Sequence, residues 1–291
     1  MTDKKKIEKI IKEALKEDIS SGDITTKAVV KKNLKAKGIF LVKQDGIIAG
    51  LEIVEKIFKL YDKSILFKKF YKDGDKISNG TIAASVEGNA SSILTVERTA
   101  LNFLQRMSGI ATYANQFSDK IKHTKAKIID TRKTAPGLRI IDKLAVELSG
   151  SKNHRMGLYD MFLIKDNHIE AVGSITKAID ACKKFNLSVD TKVSKKSSKF
   201  KIEVETKNLN EVKEAVINKP DRIMLDNFKI EDMRKAVKLI NGKCKIEASG
   251  MVNLETVKEI AETGVDYISV GAITHSVKAL DISLKIITSN E

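Results

Sequence analysis

The chain predicts an α/β fold built on parallel strands, and three observations carry that expectation. From residue 127 onward, short apolar runs alternate with helical patterns. Each of those runs breaks abruptly into polar or charged residues. Residues 1–107 lack this rhythm and instead string together short β-like runs separated by turns. Strand and helix in alternation imply parallel strands joined by right-handed crossovers. Six such strands without a dinucleotide fingerprint point to a closed barrel more than to a doubly wound sheet.

The elements follow in order. MTDKKKIEKIIKEALKEDIS reads as a short amphipathic helix, and with no uninterrupted apolar core it is not a signal peptide. AKGIFLVKQDGIIAG and KFYKDGDKISNGTIAASVEGNASSIL have strand character, with Asp73-Gly74 and Asn79-Gly80 as turns. A helical pattern opens near Thr95 and carries Val96, Ala100, Leu101, Leu104 and Met107 at spacings of three and four. The barrel strands are read at Lys127–Asp130, Met161–Ile164, Lys201–Glu205, Arg222–Leu225, Lys245–Ala248 and Tyr267–Val270. Helices between them include Asn210–Val216, Glu231–Ile240 and Leu254–Glu262, the last opened by Asn253 as N-cap and closed by Gly264. The lysine-rich run at 191–201 is read as a solvated loop.

Composition narrows the function classes. A chain of 291 residues, 42% hydrophobic and 31% charged, is that of a soluble globular protein with a sizeable core. No apolar run approaches the roughly 20 residues needed to cross a bilayer, so no membrane partner is expected. Cys182 and Cys244 have neither metal spacing nor a disulfide framework, which fits a reducing cytoplasm. The net charge of +15 comes from 53 Lys+Arg against 38 Asp+Glu. Those lysines are spread along helical surfaces, and five tyrosines with no tryptophan offer little for base stacking. The excess is read as a solvated surface, with no nucleic-acid partner.

The chemistry lies where the strands end. Ile128-Ile129 breaks into Asp130-Thr131-Arg132-Lys133, and Met161–Ile164 into Lys165-Asp166-Asn167-His168, with His154-Arg155 between them. A buried parallel strand delivers side chains to a site at its C-terminal end in this way, and the surplus of cations favours an anionic ligand. Later strands end in Glu205, Asp226, Ser249-Gly250 and Gly271, converging on the same mouth. In KIEVE, Ile202 and Val204 share one strand face and Glu203 and Glu205 the other. In a barrel clothed by helices the glutamate face points inward, so Glu205 needs a cationic partner or a metal, with Lys133 and Lys165 at the right level. Ser249, Gly250 and Gly271 each precede a helix and expose backbone N–H groups, a phosphate cradle. A lone His168 or His275 is more often structural, and Arg98 by default is a surface arginine.

DTRKTAPGLR, NHRMGLYDMFLIKDNHI, KIEVET, IMLDNF, IEASGMVN and GVDYISVGAIT, with EDISSGDIT and ERTALNFLQRMSGIAT upstream, together resemble the quinolinate phosphoribosyltransferase family over nearly the whole chain. The resemblance implies an N-terminal α/β sandwich-like domain, residues 1–107 with 275–291 returning to it, and an α/β barrel at 108–274, seven-stranded, the type II phosphoribosyltransferase fold. It implies transfer of phosphoribosyl from phosphoribosyl pyrophosphate to quinolinate with Mg²⁺, giving nicotinate mononucleotide, pyrophosphate and carbon dioxide in NAD biosynthesis. Arg132, His154, Arg155 and Lys165 match residues that hold the quinolinate carboxylates. Arg98 matches one donated by the neighbouring subunit of a homodimer or larger oligomer. Lys133, Glu205 and Asp226 match residues serving phosphoribosyl pyrophosphate and its metal, and Ser249, Gly250 and Gly271 those at the 5′-phosphate. Lys133 and Lys165 are both candidates for assisting decarboxylation. One departure is Ser149-Gly150-Ser151-Lys152, where the family has a glycine-rich stretch; it is expected to stiffen or reshape the loop presenting His154 and Arg155. A same-fold relative using another acceptor is expected to alter these cations, and they are all present.

Overall fold

The computed structural model describes residues 3–188 and 200–287. Of the lysine-rich run at 191–201, all but Phe200 and Lys201 lies outside the described residues. The chain opens with α1 (Asp3–Ile19), α2 (Ile24–Val29), β1 (Lys35–Val42), β2 (Gly46–Ile47), α3 (Leu51–Tyr61), β3 (Leu66–Lys69), β4 (Lys76–Ile77), β5 (Ile82–Asn89) and α4 (Ala90–Ile121). It continues with β6 (Lys127–Ile129), α5 (Arg139–Leu148), β7 (Phe162–Ile164), α6 (Asp166–Val172), α7 (Ile175–Ser188), β8 (Ile202–Thr206), α8 (Leu209–Ile217), β9 (Arg222–Asp226) and α9 (Ile230–Ile240). The last elements are β10 (Lys245–Ser249), α10 (Val257–Glu262), β11 (Tyr267–Ser269), α11 (Ala272–His275) and β12 (Ile282–Ile287). Two compact units result: Met1–Asn115 with Thr134–Ser151 and Ile273–Glu291, and Gln116–Lys133 with Lys152–Ala272.

The first unit holds an antiparallel sheet in the order β12-β1-β5-β3. Its core is aromatic. Phe40 of β1, Phe58 of α3 and Phe67 of β3 form a triangle of ring contacts 5.8–6.2 Å apart, close enough to add edge and stacking attraction to the area they bury. Asp73, in the turn read from the sequence, accepts hydrogen bonds from the N–H groups of Gly50 and Leu51 at the start of α3, satisfying donors the helix cannot pair itself. Arg106 grips the buried Asp142 of α5 in a two-pronged pair, both contacts 2.8 Å. The helix expected near Thr95 starts five residues earlier, at Ala90, because Asn89 accepts from the Ser92 N–H and supplies the cap.

In the second unit all six expected strands are present, parallel, in the order β6-β11-β10-β9-β8-β7, and Lys152 adds a parallel bridge to Ile129 beyond β6. The sheet is curled. Five strand spacings separate Lys152 from β8, about 24 Å in a flat sheet at roughly 4.8 Å each. His154, two residues after Lys152, nevertheless has its Nε2 3.0 Å from Glu203 of β8. Arg155 Nη1 donates to the Met161 carbonyl, just before β7, at 3.0 Å. Only a barrel-like closure brings those edges together. The outer face is apolar and covered: Phe162 packs edge-on against Phe185 of α7 and against Phe200, with centroids 5.8 and 5.9 Å away.

Two local expectations need correcting. Helix α10 begins at Val257, not Leu254; Asn253 caps instead the turn before it, accepting from Glu255 and Thr256 N–H groups at 2.9 Å. Consequently Ser249-Gly250 does not open onto a helix N-terminus, and a loop of several residues intervenes. Gly264 does sit at the end of α10, with φ +96°, the left-handed geometry that glycine tolerates.

Candidate active site

Parallel strands place all their C-terminal ends at one mouth, and a cavity of about 430 Å³ opens there. Arg132 and Lys133, after β6, line it together with His154 and Arg155. From β7 onward come Leu163, Lys165, Glu205, Met224 and Asp226, and then Glu247, Ser249 and Ser269. Strand alternation explains the selection: in β8, β9 and β10 the residues pointing inward are Glu203, Glu205, Arg222, Met224, Asp226, Glu247 and Ser249, while Ile202, Val204, Ile223, Leu225, Ile246 and Ala248 face the helices.

The cationic wall is locally braced. The Asp130 carboxylate, fully buried, accepts the His154 N–H at 2.7 Å and so ties the end of β6 to the His154-Arg155 segment. Thr131 Oγ1 accepts the Lys133 N–H at 3.0 Å. Arg155 is buried against Arg132, and burial first, then that like charge, pull its guanidinium below its ordinary value. Two such cations held side by side repel each other, and an anion between them is favourable. In the Ser149–Lys152 departure the serines knit their own turn. Ser149 Oγ donates to the Val146 carbonyl at 2.7 Å, accepts the Ser151 N–H at 3.2 Å and lies 3.0 Å from Ser151 Oγ, and Gly150 takes φ +84°.

On the opposite wall Lys165 Nζ stands 3.7 Å from Glu205 Oε2. Burial pushes the Glu205 carboxyl above its ordinary value, opposed by Lys165 and reinforced by Asp226 and Asp166. Lys207 joins Asp166 at 2.8 Å across the neighbouring loops. Asn227, in the left-handed region at φ 55°, donates from Nδ2 to Asp226 Oδ2 at 2.9 Å and from its N–H to the Ser249 carbonyl at 2.9 Å. Gly250 has φ +133°, and a Cβ there would lie 2.5 Å from Asn227 Oδ1. Glycine is required at that position by both conformation and space.

Not every expected residue lines the cavity. Gly250 and Gly271 are not among the lining residues; they follow Ser249 and Ser269, which are. Arg98 belongs to α4 in the first unit. His168 Nδ1 accepts the Lys165 N–H at 2.9 Å and caps α6, and His275 Nδ1 contacts Ser276 Oγ at 2.7 Å, so both have structural partners.

Sequence reasoning missed the floor. Glu203 and Glu247 are completely buried; Arg222 Nη1 lies 2.5 Å from Glu247 Oε2 and 3.7 Å from Glu203 Oε2, and its guanidinium stacks 4.3 Å over the Tyr267 ring. Burial, then the charge of Glu203, pushes the Glu247 carboxyl up to about 8. His154, Glu203 and Glu247 could converge on a metal ion, but Arg222 already takes the seat beside Glu247 Oε2. The available signal was that KIEVE and KIEAS both put a glutamate at the second inward position.

Two domain models of quinolinate phosphoribosyl transferase match, the N-terminal domain over residues 23–108 and the C-terminal domain over 110–285. A Nicotiana tabacum protein named quinolinate phosphoribosyltransferase (decarboxylating) 2b, mitochondrial, is 46% identical, covering 97% of this chain and 82% of its own. The chloroplastic nicotinate-nucleotide pyrophosphorylase (carboxylating) of Arabidopsis thaliana is 46% identical over 96% of this chain and 82% of its own. The solved nicotinate-nucleotide pyrophosphorylase of Francisella tularensis superposes with a TM-score of 0.91 at 38% identity, covering 99% of this chain and 98% of that one.

Proposed function

Since this chain belongs to the quinolinate phosphoribosyltransferase family in both of its domains, we propose how its barrel mouth carries out that family's reaction. The chain is a pentosyltransferase that joins quinolinate to phosphoribosyl pyrophosphate and releases nicotinate mononucleotide, pyrophosphate and carbon dioxide. The observation that carries this reading is one cavity lined on one side by Arg132 and Arg155 and on the other by Lys165, Glu205 and Asp226.

Quinolinate brings two adjacent carboxylates. Arg132 and Arg155 grip them with planar forks, and Lys165 adds a point charge. Transfer breaks the bond between C1′ of the ribose and the pyrophosphate oxygen, the electron pair leaving with pyrophosphate. The ring nitrogen's lone pair forms the new bond to C1′. Glu205 and Asp226 stabilise the positive charge developing on the ribose during that exchange. The alkylated nitrogen then accepts charge as the bond from C2 to its carboxylate breaks; the pair stays on C2 and takes a proton. Lys133 and Lys165, both lining the cavity, are the groups that carry protons there. Backbone N–H groups beside Ser249, Gly250 and Gly271 hold the 5′-phosphate.

Glu205 and Asp226 are hard oxygen donors close enough for Asp226 to raise the Glu205 pKa, and they fit Mg²⁺ held directly or through its waters. Bound there, the ion supplies charge neutralisation for the departing pyrophosphate. The active unit is a homodimer in which Arg98 enters the partner's site, which rests on the resemblance, and the chain is cytoplasmic, which rests on free Cys182 and Cys244. Among the described residues no helix is long and apolar enough to cross a membrane.

Turnover with quinolinate and with nicotinic acid tests the reading. Losing one carboxylate strands a cation at a cost of about 2–5 kcal/mol, so nicotinic acid should be poorly used or unused. Comparable turnover of both acceptors overturns it. Mixing Arg98→Ala with Lys133→Ala chains, each inactive alone, tests the donation: activity should return, with up to about half of a heterodimer's sites intact. No recovery despite proven subunit exchange means Arg98 acts within its own chain or not at all.

A further inference from the structure

We infer that Glu203, Glu247 and Arg222 are positioning residues for the acceptor: they hold His154 from beneath, and through it the backbone of Arg155. The inference rests on the reaction proposed above and assigns work to three residues that reading leaves idle. Arg222 anchors the assembly, clamped between Glu247 and the Tyr267 ring. The two glutamates turn their Oε2 atoms toward His154, whose Nε2 lies 3.0 Å from Glu203 and 3.6 Å from Glu247. The other ring nitrogen, Nδ1, accepts the Arg155 N–H at 2.7 Å. An acceptor at Nδ1 carries no proton, so the ring holds its proton on Nε2, facing the glutamates. The His154 N–H is itself held by Asp130.

His154 is therefore hydrogen-bonded through Nδ1 and packed against the two glutamates through Nε2, and only 6% of its side chain is exposed. It works as a strut between the acidic floor and Arg155. Arg155 is the group that touches the acceptor, and its reach is set by where the strut stands. The arrangement also explains why two buried carboxylates and a guanidinium are kept in a barrel interior that apolar residues fill elsewhere. They orient a neighbour, as partners behind metal ligands do.

The experiment uses the full chain, after wild-type turnover with quinolinate has been established. Glu203→Gln and Glu247→Gln keep shape while changing what faces Nε2. The Michaelis constant for quinolinate should rise by about tenfold, on the order of one lost polar contact, while that for phosphoribosyl pyrophosphate stays within about twofold. A purely structural role would move both constants or lower the unfolding midpoint without that split. Nitrogen-15 NMR of histidine-labelled chain provides a reading independent of activity. His154 should show the Nε2–H tautomer in the free protein, keep it when quinolinate binds, and shift in both variants. An unchanged quinolinate constant in a folded variant, or a His154 signal that changes on quinolinate binding but not on substitution, overturns the inference. Failure of wild-type turnover with the tautomer in place would instead fault the proposed reaction.

Discussion

Two cavities of similar size open at opposite ends of the parallel strands, and they are built from similar residues. The mouth has about 430 Å³ lined by Arg132, Lys133, Lys165, Glu205 and Asp226; the other, about 400 Å³ at the strand starts, is lined by Lys125, Lys243, Lys245, Asp221 and Asp266. What differs is how the carboxylates are used. At the strand starts Asp221 Oδ2 accepts the Ile202 N–H at 2.7 Å and Asp266 Oδ2 the Ile246 N–H at 3.0 Å, while Asp266 Oδ1 pairs with Lys245 at 3.0 Å. Burial alone would raise the Asp266 carboxyl, but Lys245, the Ile246 N–H and Lys125 together bring it below its ordinary value. At the mouth, burial leaves Glu205 raised with Lys165 3.7 Å away. Carboxylates that satisfy backbone donors are architecture, whereas carboxylates held at a cost are available to a ligand.

The sharpest way to break this contrast is at the mouth. Asp226→Ala or Glu205→Ala should lower kcat by about 10²–10³ while the unfolding midpoint stays put, since charge stabilisation is lost without loss of core; near-normal turnover and metal response would remove either residue from the site. Next is the floor. The Glu247 pKa is raised in the folded chain from 4.5 to about 8, so its contribution to stability is fully present below 4.5 and is lost as pH rises through about 8. Stability should decline across that window by at most about 1.4 kcal/mol per pH unit, and Glu247→Gln should flatten the decline in denaturant titrations. A smaller effect is expected at the strand starts. Asp266→Ala should cost about 1–3 kcal/mol by orphaning a backbone donor, with kcat unchanged. Because the Asp266 pKa is depressed, its contribution should persist above 3.8 and fade only as pH falls through its lower folded value. Smallest of all, Lys243→Ala should shift stability by under about 0.5 kcal/mol and leave turnover intact, whereas Lys133→Ala at the other end abolishes it.

Which parts of this were legible follows from how local the signal is. An apolar run that collapses into charge marks the end of a buried strand, and all six barrel strands carry that mark, so the sequence alone places Arg132, Lys133, Lys165, Glu205 and Asp226 at one mouth. The floor was not legible because alternation of Glu with Ile reads as a half-solvated strand until both faces are known to be covered. Glu203 was seen to share the Glu205 face, yet only closure of the sheet brings it to His154 and, with Glu247, to Arg222. The same non-locality hid the start of α10, where Asn253 caps a turn that stops short of the helix.

Strand β1 is flanked by partners of very different age. Its Lys37 pairs with Glu87 of β5 on one side and with Ile287 of β12 on the other, and the last strand is moored by Gln105, which donates to the Ile282 carbonyl at 2.6 Å. The second pairing spans five times as much chain, yet the extra closure entropy is only about 1.4 kcal/mol. A ribosome experiences the gap differently. At roughly 5–20 residues per second, the 200 residues between those partners take about 10–40 s to make. Throughout that interval one edge of β1 stands uncovered, with Lys35 and Lys37 supplying the charge that discourages a stranger from pairing with it.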